Sequence, residues 1–188
     1  SMDGQKVIQQ YKIIKIPTII MSSDIGSYDQ IQQVWPNIGT IENDGAYVAR
    51  NIPLPHRDIK KGLVGYVDVI YLKDFACADC YKPEEIHKNV LTSGYRVGIR
   101  SERAIDIASA EGKNILRKYQ ITQIPTMLVS PGISEYSNLA KVWPQVGTVE
   151  KDGWYVFRKM EQIGKAVYKD LSTNQIVRPP STDSEGTP

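Results

Sequence analysis

Strands alternating with helices, within a unit that occurs twice, predict an α/β fold for this chain. Two observations carry the prediction. An unbroken apolar run at 65–72 leads into a helical stretch and then a further strand-like run. In addition, residues 3–50 recur at residues 111–158 with a constant offset of 108 and no gap.

The repeat is dense. Tyr11-Lys12-Ile13 matches Tyr119-Gln120-Ile121, and Ile16-Pro17-Thr18 matches Ile124-Pro125-Thr126. Val34-Trp35-Pro36 matches Val142-Trp143-Pro144, Gly39-Thr40 matches Gly147-Thr148, and Arg50 matches Arg158. A period of this length is that of a whole domain, far longer than a solenoid repeat. Only 16 residues precede Pro17, so the first copy is expected to begin in mid-domain and its earlier half to lie upstream. The chain then reads as residues 1–62, the second half of a first unit plus a linker; residues 63–177, a complete unit; and residues 178–188, a flexible tail. Pro53, Pro55 and Lys60-Lys61-Gly62 mark 51–65 as the linker. The exposed sheet edge and apolar face of the half-unit should be covered by the second unit or by a neighbouring molecule.

The elements of the second unit follow in order. The run 65–72 is continuously apolar, as in a strand buried on both faces. Residues 78–92 read as a helix, with Pro83 and Glu84-Glu85 in its first turns. Residues 95–99 read as a strand, and 102–108 carry no decisive period. A helix is expected from Ser109 to about residue 118, with Ile115, Leu116 and Tyr119 on its apolar side. A strand at 126–130 and a short helix at 137–142 come next. Lys151-Asp152-Gly153 then joins two strands as a hairpin, because Asp-Gly accepts positive φ. Residues 164–177 look like a further extended stretch and turn.

Composition excludes several function classes. Of 188 residues, 23 are basic and 21 acidic, interspersed, so no nucleic-acid or membrane patch is expected. No apolar stretch approaches the roughly 18–20 residues of a membrane span. Cysteine occurs only as Cys77-Ala78-Asp79-Cys80, so there is no disulfide framework, and the compartment is not identified by it.

That cysteine pair is the candidate site. At i, i+3 and the start of a helix, both sulfurs lie at one helix end, where exposed N–H groups and the dipole favour a thiolate on Cys77. The spacing also brings the Cα atoms within bridging range, about 4.4–6.8 Å. Asp79 opposes the thiolate with its own negative charge. Zinc would need four ligands, and beside the cysteines the chain offers only His56, in the linker, and His87. No metal site or cofactor is expected. A redox-inert structural bridge is the other plain reading of the pair.

With Ile124-Pro125-Thr126 following 45 residues after Cys80, the pattern resembles the thioredoxin superfamily over residues 66–158. The resemblance implies a central mixed sheet flanked by helices and cis bonds at Ile16–Pro17 and Ile124–Pro125. It also implies a thiol–disulfide oxidoreductase acting on protein disulfides or dithiols. Cys77 would attack as the more exposed sulfur, and Cys80, more buried, would resolve the mixed disulfide. Ile124 and Pro125 would bind substrate, the Ile124 backbone pairing with it as a strand. A redox recycling partner is implied as well, and the truncated first unit invites self-association. Tyr71 stands where relatives carry a buried proton-relaying carboxylate, so exchange is expected to be slow. A non-catalytic interaction or scaffold module is the alternative.

Overall fold

The computed structural model describes residues 2–179 and divides them at Gly65/Tyr66 into two compact units. The mixed α/β class expected from the sequence is what the chain adopts.

In the first unit the elements are α1 (Met2–Gln10), β1 (Lys15–Ile16), β2 (Ile20–Met21), α2 (Asp29–Val34), β3 (Gly39–Ile41), β4 (Tyr47–Ala49), β5 (His56–Asp58) and β6 (Gly62–Val64). In the second they are β7 (Tyr66–Lys73), α3 (Pro83–Asn89), β8 (Gly98–Asp106), α4 (Ala110–Tyr119), β9 (Gln123–Ile124), β10 (Thr126–Val129), α5 (Ser137–Val142), β11 (Gly147–Val149), β12 (Tyr155–Phe157), β13 (Tyr168–Asp170) and β14 (Gln175–Val177).

The main sheet of the second unit runs β11-β12-β10-β7-β8. Only β7 and β8 are parallel; the other pairings are antiparallel. Side chains alternate across it. Ile70, Leu72, Leu128 and Val156 pack with Ile105, Tyr119 and Ile121, and Ile115 and Leu116 of α4 cover that cluster. The neighbouring residue Phe157 faces the other way and meets the ring of His87, on α3, at 4.6 Å. Helices therefore lie on both faces. The α4 start is capped as its sequence suggests, with the Ser109 hydroxyl accepting from Gly112 N–H at 2.9 Å.

The repeat is structural in detail. Shifted by 108, α2 falls on α5, β3 on β11, β4 on β12 and β1 on β9. The side-chain bonds repeat too. Trp35 Nε1 donates to Thr40 O and Trp143 Nε1 to Thr148 O; Tyr11 donates to Asp44 and Tyr119 to Asp152. Arg50 reaches Thr40, Glu42 and the Lys12 carbonyl, and Arg158 reaches Thr148, Glu150 and the Gln120 carbonyl. Both tryptophans are packing residues, each edge-on to a tyrosine, at 5.2 and 5.3 Å between ring centres.

Three expectations need correction. The helix placed at 78–92 begins only at Pro83 and continues past Asn89 as a wider turn over Val90–Gly94. Lys82 is extended, as a residue before proline tends to be, so the chain cannot be helical from residue 78. Strand β8 extends to Asp106, well beyond residue 99. It pairs with β7 alone and is exposed over 100–104, and its edge-strand charges mask the period. The linker at 51–65 is largely a hairpin, β5–β6, that pairs with β1. Its counterpart β13–β14 pairs with β9, so the unit repeats further than the sequence identity does.

The half-unit presents apolar side chains whose counterparts in the second unit are buried. Ile19 and Tyr28 are 61% and 63% exposed, against 3% and 8% for Met127 and Tyr136. In the second unit β7 pairs with β10 along this edge, whereas in the first β2 has only β4. Of the expected tail, residues 178 and 179 are described, and residues 180–188 lie outside the described residues.

The tight corner before each hairpin gives a test. A Cβ at Gly39 would sit on the Val48 carbonyl, and one at Gly147 on the Val156 carbonyl, both backbone atoms that cannot step aside. Gly39→Ala and Gly147→Ala should each destabilise by about 1–3 kcal/mol, as overpacking does. Urea unfolding measures it, and an unchanged midpoint for either variant would contradict the tight corner.

Candidate functional site

The loop between β7 and α3 carries the cysteines. Asp74 starts it: its carboxylate accepts Ala76 N–H at 2.9 Å and its carbonyl accepts Cys77 N–H at 3.1 Å. Cys77 and Cys80 form a disulfide with Cα atoms 5.4 Å apart, inside the range expected from their spacing. Both cysteines are half-buried. Tyr81 and Lys82 separate the pair from the first helical residue, and the cysteines therefore do not occupy a helix end as the sequence suggested.

The two cysteines and Pro125 line one cavity of about 420 Å³, together with Lys73, Tyr81 and Ala104 among others. The resemblance assigns Pro125 to the same site as the pair, and the fold brings them together. Ile16–Pro17 and Ile124–Pro125 are both cis, as is Leu54–Pro55, which the sequence did not signal.

Ile124 is the exception among the expected site residues. It is fully buried, and its backbone is taken. Leu171 N–H donates to Thr122 O at 2.7 Å, and β13 runs antiparallel to β9 with Lys169 opposite Ile124. By the alternation of an antiparallel ladder, Lys169 and Ile124 form a hydrogen-bonded pair that uses both the N–H and the C=O of Ile124. The free edge expected there for a substrate strand is thus filled by the chain itself.

Several residues that sequence reasoning missed hold this arrangement. The Tyr81 hydroxyl donates to the Pro125 carbonyl at 2.9 Å and lies 3.0 Å from His87 Nε2. With its one hydrogen committed to Pro125, Tyr81 accepts from His87, which is then the Nε2–H tautomer. Burial pushes the Tyr81 phenol upward and holds the His87 imidazolium down to about 4. His87 is thus a neutral support for the tyrosine that holds the proline.

The charges around the loop are paired. Lys169 bonds Asp74 at 2.9 Å and keeps that carboxyl below its usual range. Arg178 meets Asp79 at 2.5 Å, Lys82 meets Glu85 at 3.1 Å, and Lys73 bonds Glu84. Tyr71, where a relaying acid was looked for, is buried; its hydroxyl points to Glu102 at 3.4 Å, and burial pushes its titration upward. Glu84 is the carboxylate on the cavity wall's lysine, and one of its oxygens, Oε2, is buried without a hydrogen-bond partner. No spacing rule marks Tyr81, His87 or Lys169; only the position of Glu84 beside Pro83 was visible, and as a helix start.

Compared with family models, curated proteins and solved structures, the chain matches none.

His87 makes the fold sensitive to acid in a defined window. An unfolded histidine binds its proton near 6.5 and the folded one only near 4, so the unfolded state takes up more protons between these values. Stability is full above about pH 6.5 and falls as pH drops towards 4, by up to about 3 kcal/mol from this group. Urea midpoints across that range should show the slope, and His87→Gln should flatten it. An equal slope in the variant would remove His87 as the cause.

Proposed function

We propose that Cys77 and Cys80 form a thiol–disulfide exchange centre in a thioredoxin-like domain. The supporting observation is convergence. A cysteine pair and a proline turn 45 residues further on share one cavity of ligand size, in a mixed sheet with helices on both faces. In the reduced form Cys77 attacks a disulfide sulfur, forming a mixed disulfide and releasing one thiolate. Cys80 then attacks Cys77, closes the internal bridge and releases the second thiolate. Two electrons pass from the dithiol to the substrate, and two protons follow them. Arg178 offsets the negative charge of Asp79, and Lys73 on the cavity wall is itself paired with Glu84, so the charges around the sulfurs are close to balanced during these steps.

A second reading has its own support. The filled backbone edge at Ile124 suits a non-catalytic interaction module in which the bridge merely pins the loop.

Turnover separates the two readings. With a dithiol as electron donor, the wild type should reduce an added disulfide catalytically, and Cys77→Ser should fall to the uncatalysed rate. Cys80→Ser should react once and accumulate a mixed disulfide at Cys77, detectable by mass. If wild type and Cys77→Ser are indistinguishable, the interaction-module reading stands.

A further inference from the structure

Resting on the exchange chemistry just proposed, the structure points to a substrate class. We propose that the hairpin β13–β14 makes this centre selective for low-molecular-weight disulfides and thiols and excludes extended polypeptides.

An extended polypeptide docks beside such a centre by adding a strand, for which it needs free backbone donors and acceptors. Around Pro125 none is free. Ile124 gives its N–H and C=O to Lys169, the Pro125 carbonyl accepts Tyr81, and proline has no N–H. A polypeptide could pair there only by expelling the hairpin.

The hairpin is fastened against expulsion at three places on the cysteine loop. Tyr81 N–H donates to Val167 O at 2.9 Å, Lys169 bonds Asp74 at 2.9 Å, and Arg178 meets Asp79 at 2.5 Å. The pair of Lys169 and Asp74 is largely buried, with side chains 22% and 14% exposed, so it is the firm one. Asp170 fixes the turn by accepting Ser172 N–H at 2.8 Å and Thr173 N–H at 3.3 Å.

The first unit argues that the hairpin is permanent. There β5–β6 occupies the same edge, with Arg57 opposite Ile16, Ile59 N–H donating to Ile14 O, and Asp58 fixing the turn in the same way. The hairpin is thus a part of the repeated fold.

What remains open is the cavity itself. At about 420 Å³, bounded by the sulfurs, Pro125 and Ala104, it admits a molecule of a few hundred cubic ångströms. For a disulfide RSSR the balance is dithiol plus RSSR to bridge plus two RSH, with no other reagent, and the reverse reaction reduces the bridge at the expense of two RSH.

The test compares two disulfides on the full, prereduced chain: bis(2-hydroxyethyl) disulfide as the small probe and insulin as the polypeptide one. Oxidation of the Cys77/Cys80 pair is followed by thiol alkylation and mass. The small disulfide should react about tenfold faster or more at equal concentration, because access governs the rate. Asp170→Ala, which loosens the hairpin turn far from the sulfurs, should raise the insulin rate severalfold and leave the small-disulfide rate unchanged. Equal rates for both probes in the wild type would overturn the proposal while leaving exchange chemistry intact. Failure of both probes to react, with Cys77→Ser behaving as wild type, would overturn the exchange reading and this proposal with it. The wild-type ratio decides the matter even if Asp170→Ala does not fold.

Discussion

Buried backbone must find hydrogen-bond partners, and in this chain the requirement is most demanding at Ile124–Pro125. Ile124 is wholly buried, and proline contributes an acceptor with no donor. Three separate parts of the second unit meet there. Strand β13 supplies Lys169 to Ile124, the loop before α3 supplies the Tyr81 hydroxyl to Pro125, and the next residue, Thr126, donates its hydroxyl to Phe157 O on β12 at 2.5 Å. Because Tyr81 follows Cys80 directly, satisfying the proline carbonyl also fixes where the cysteines stand. Each such bond contributes only about 0.5–1.5 kcal/mol, but leaving its buried acceptor empty costs more. The site is therefore held by polar necessity as much as by its disulfide.

The same backbone problem is solved twice with the same side chains. Pro17 and Pro125 are each followed by a threonine whose hydroxyl reaches the strand opposite, at Ala49 O and Phe157 O. Arg50 and Arg158 each close the left-handed corner at Lys12 and Gln120 by bonding its carbonyl. Duplication preserved the frame down to these side-chain bonds.

How legible this was depended on where the signal sits. The repeat, the cap at Ser109, the helix at 137–142 and the Asp152-Gly153 hairpin were all readable, since each rests on a local rule. Gly153 does take φ +81, as the turn requires. The hairpin β13–β14 was legible as the extended stretch and turn at 164–177, but its pairing was not, and β5–β6 lay within what read as linker. Arg57-Asp58 and Lys169-Asp170 are polar residues in very short strands, and their pairing with Lys15-Ile16 and Gln123-Ile124 is long-range. Tyr81 and His87 were missed for a related reason: each is a single aromatic residue whose role comes from a carbonyl far away in sequence. Pro83 was visible but misassigned, because its effect on Lys82 outweighed the helical pattern around it.

The electrostatics bear on which features control reactivity at the sulfurs. Asp74, Asp79, Glu84 and Glu85 surround the pair, and each has its own cation: Lys169, Arg178, Lys73 and Lys82. The pairs are unequal. Asp79–Arg178 and Lys82–Glu85 are more than half exposed on both sides, where an ion pair contributes about 0–1 kcal/mol. Asp74–Lys169 is sheltered, and Lys169 is the very residue whose backbone fills the Ile124 edge. One side chain thus ties the start of the cysteine loop to the strand that closes the docking edge. With charges balanced in this way, the loop offers a sulfur anion little net attraction. On the proposed exchange reading, geometry at the cavity mouth, more than a strongly activated thiolate, would discriminate between substrates, and the hairpin sets that geometry.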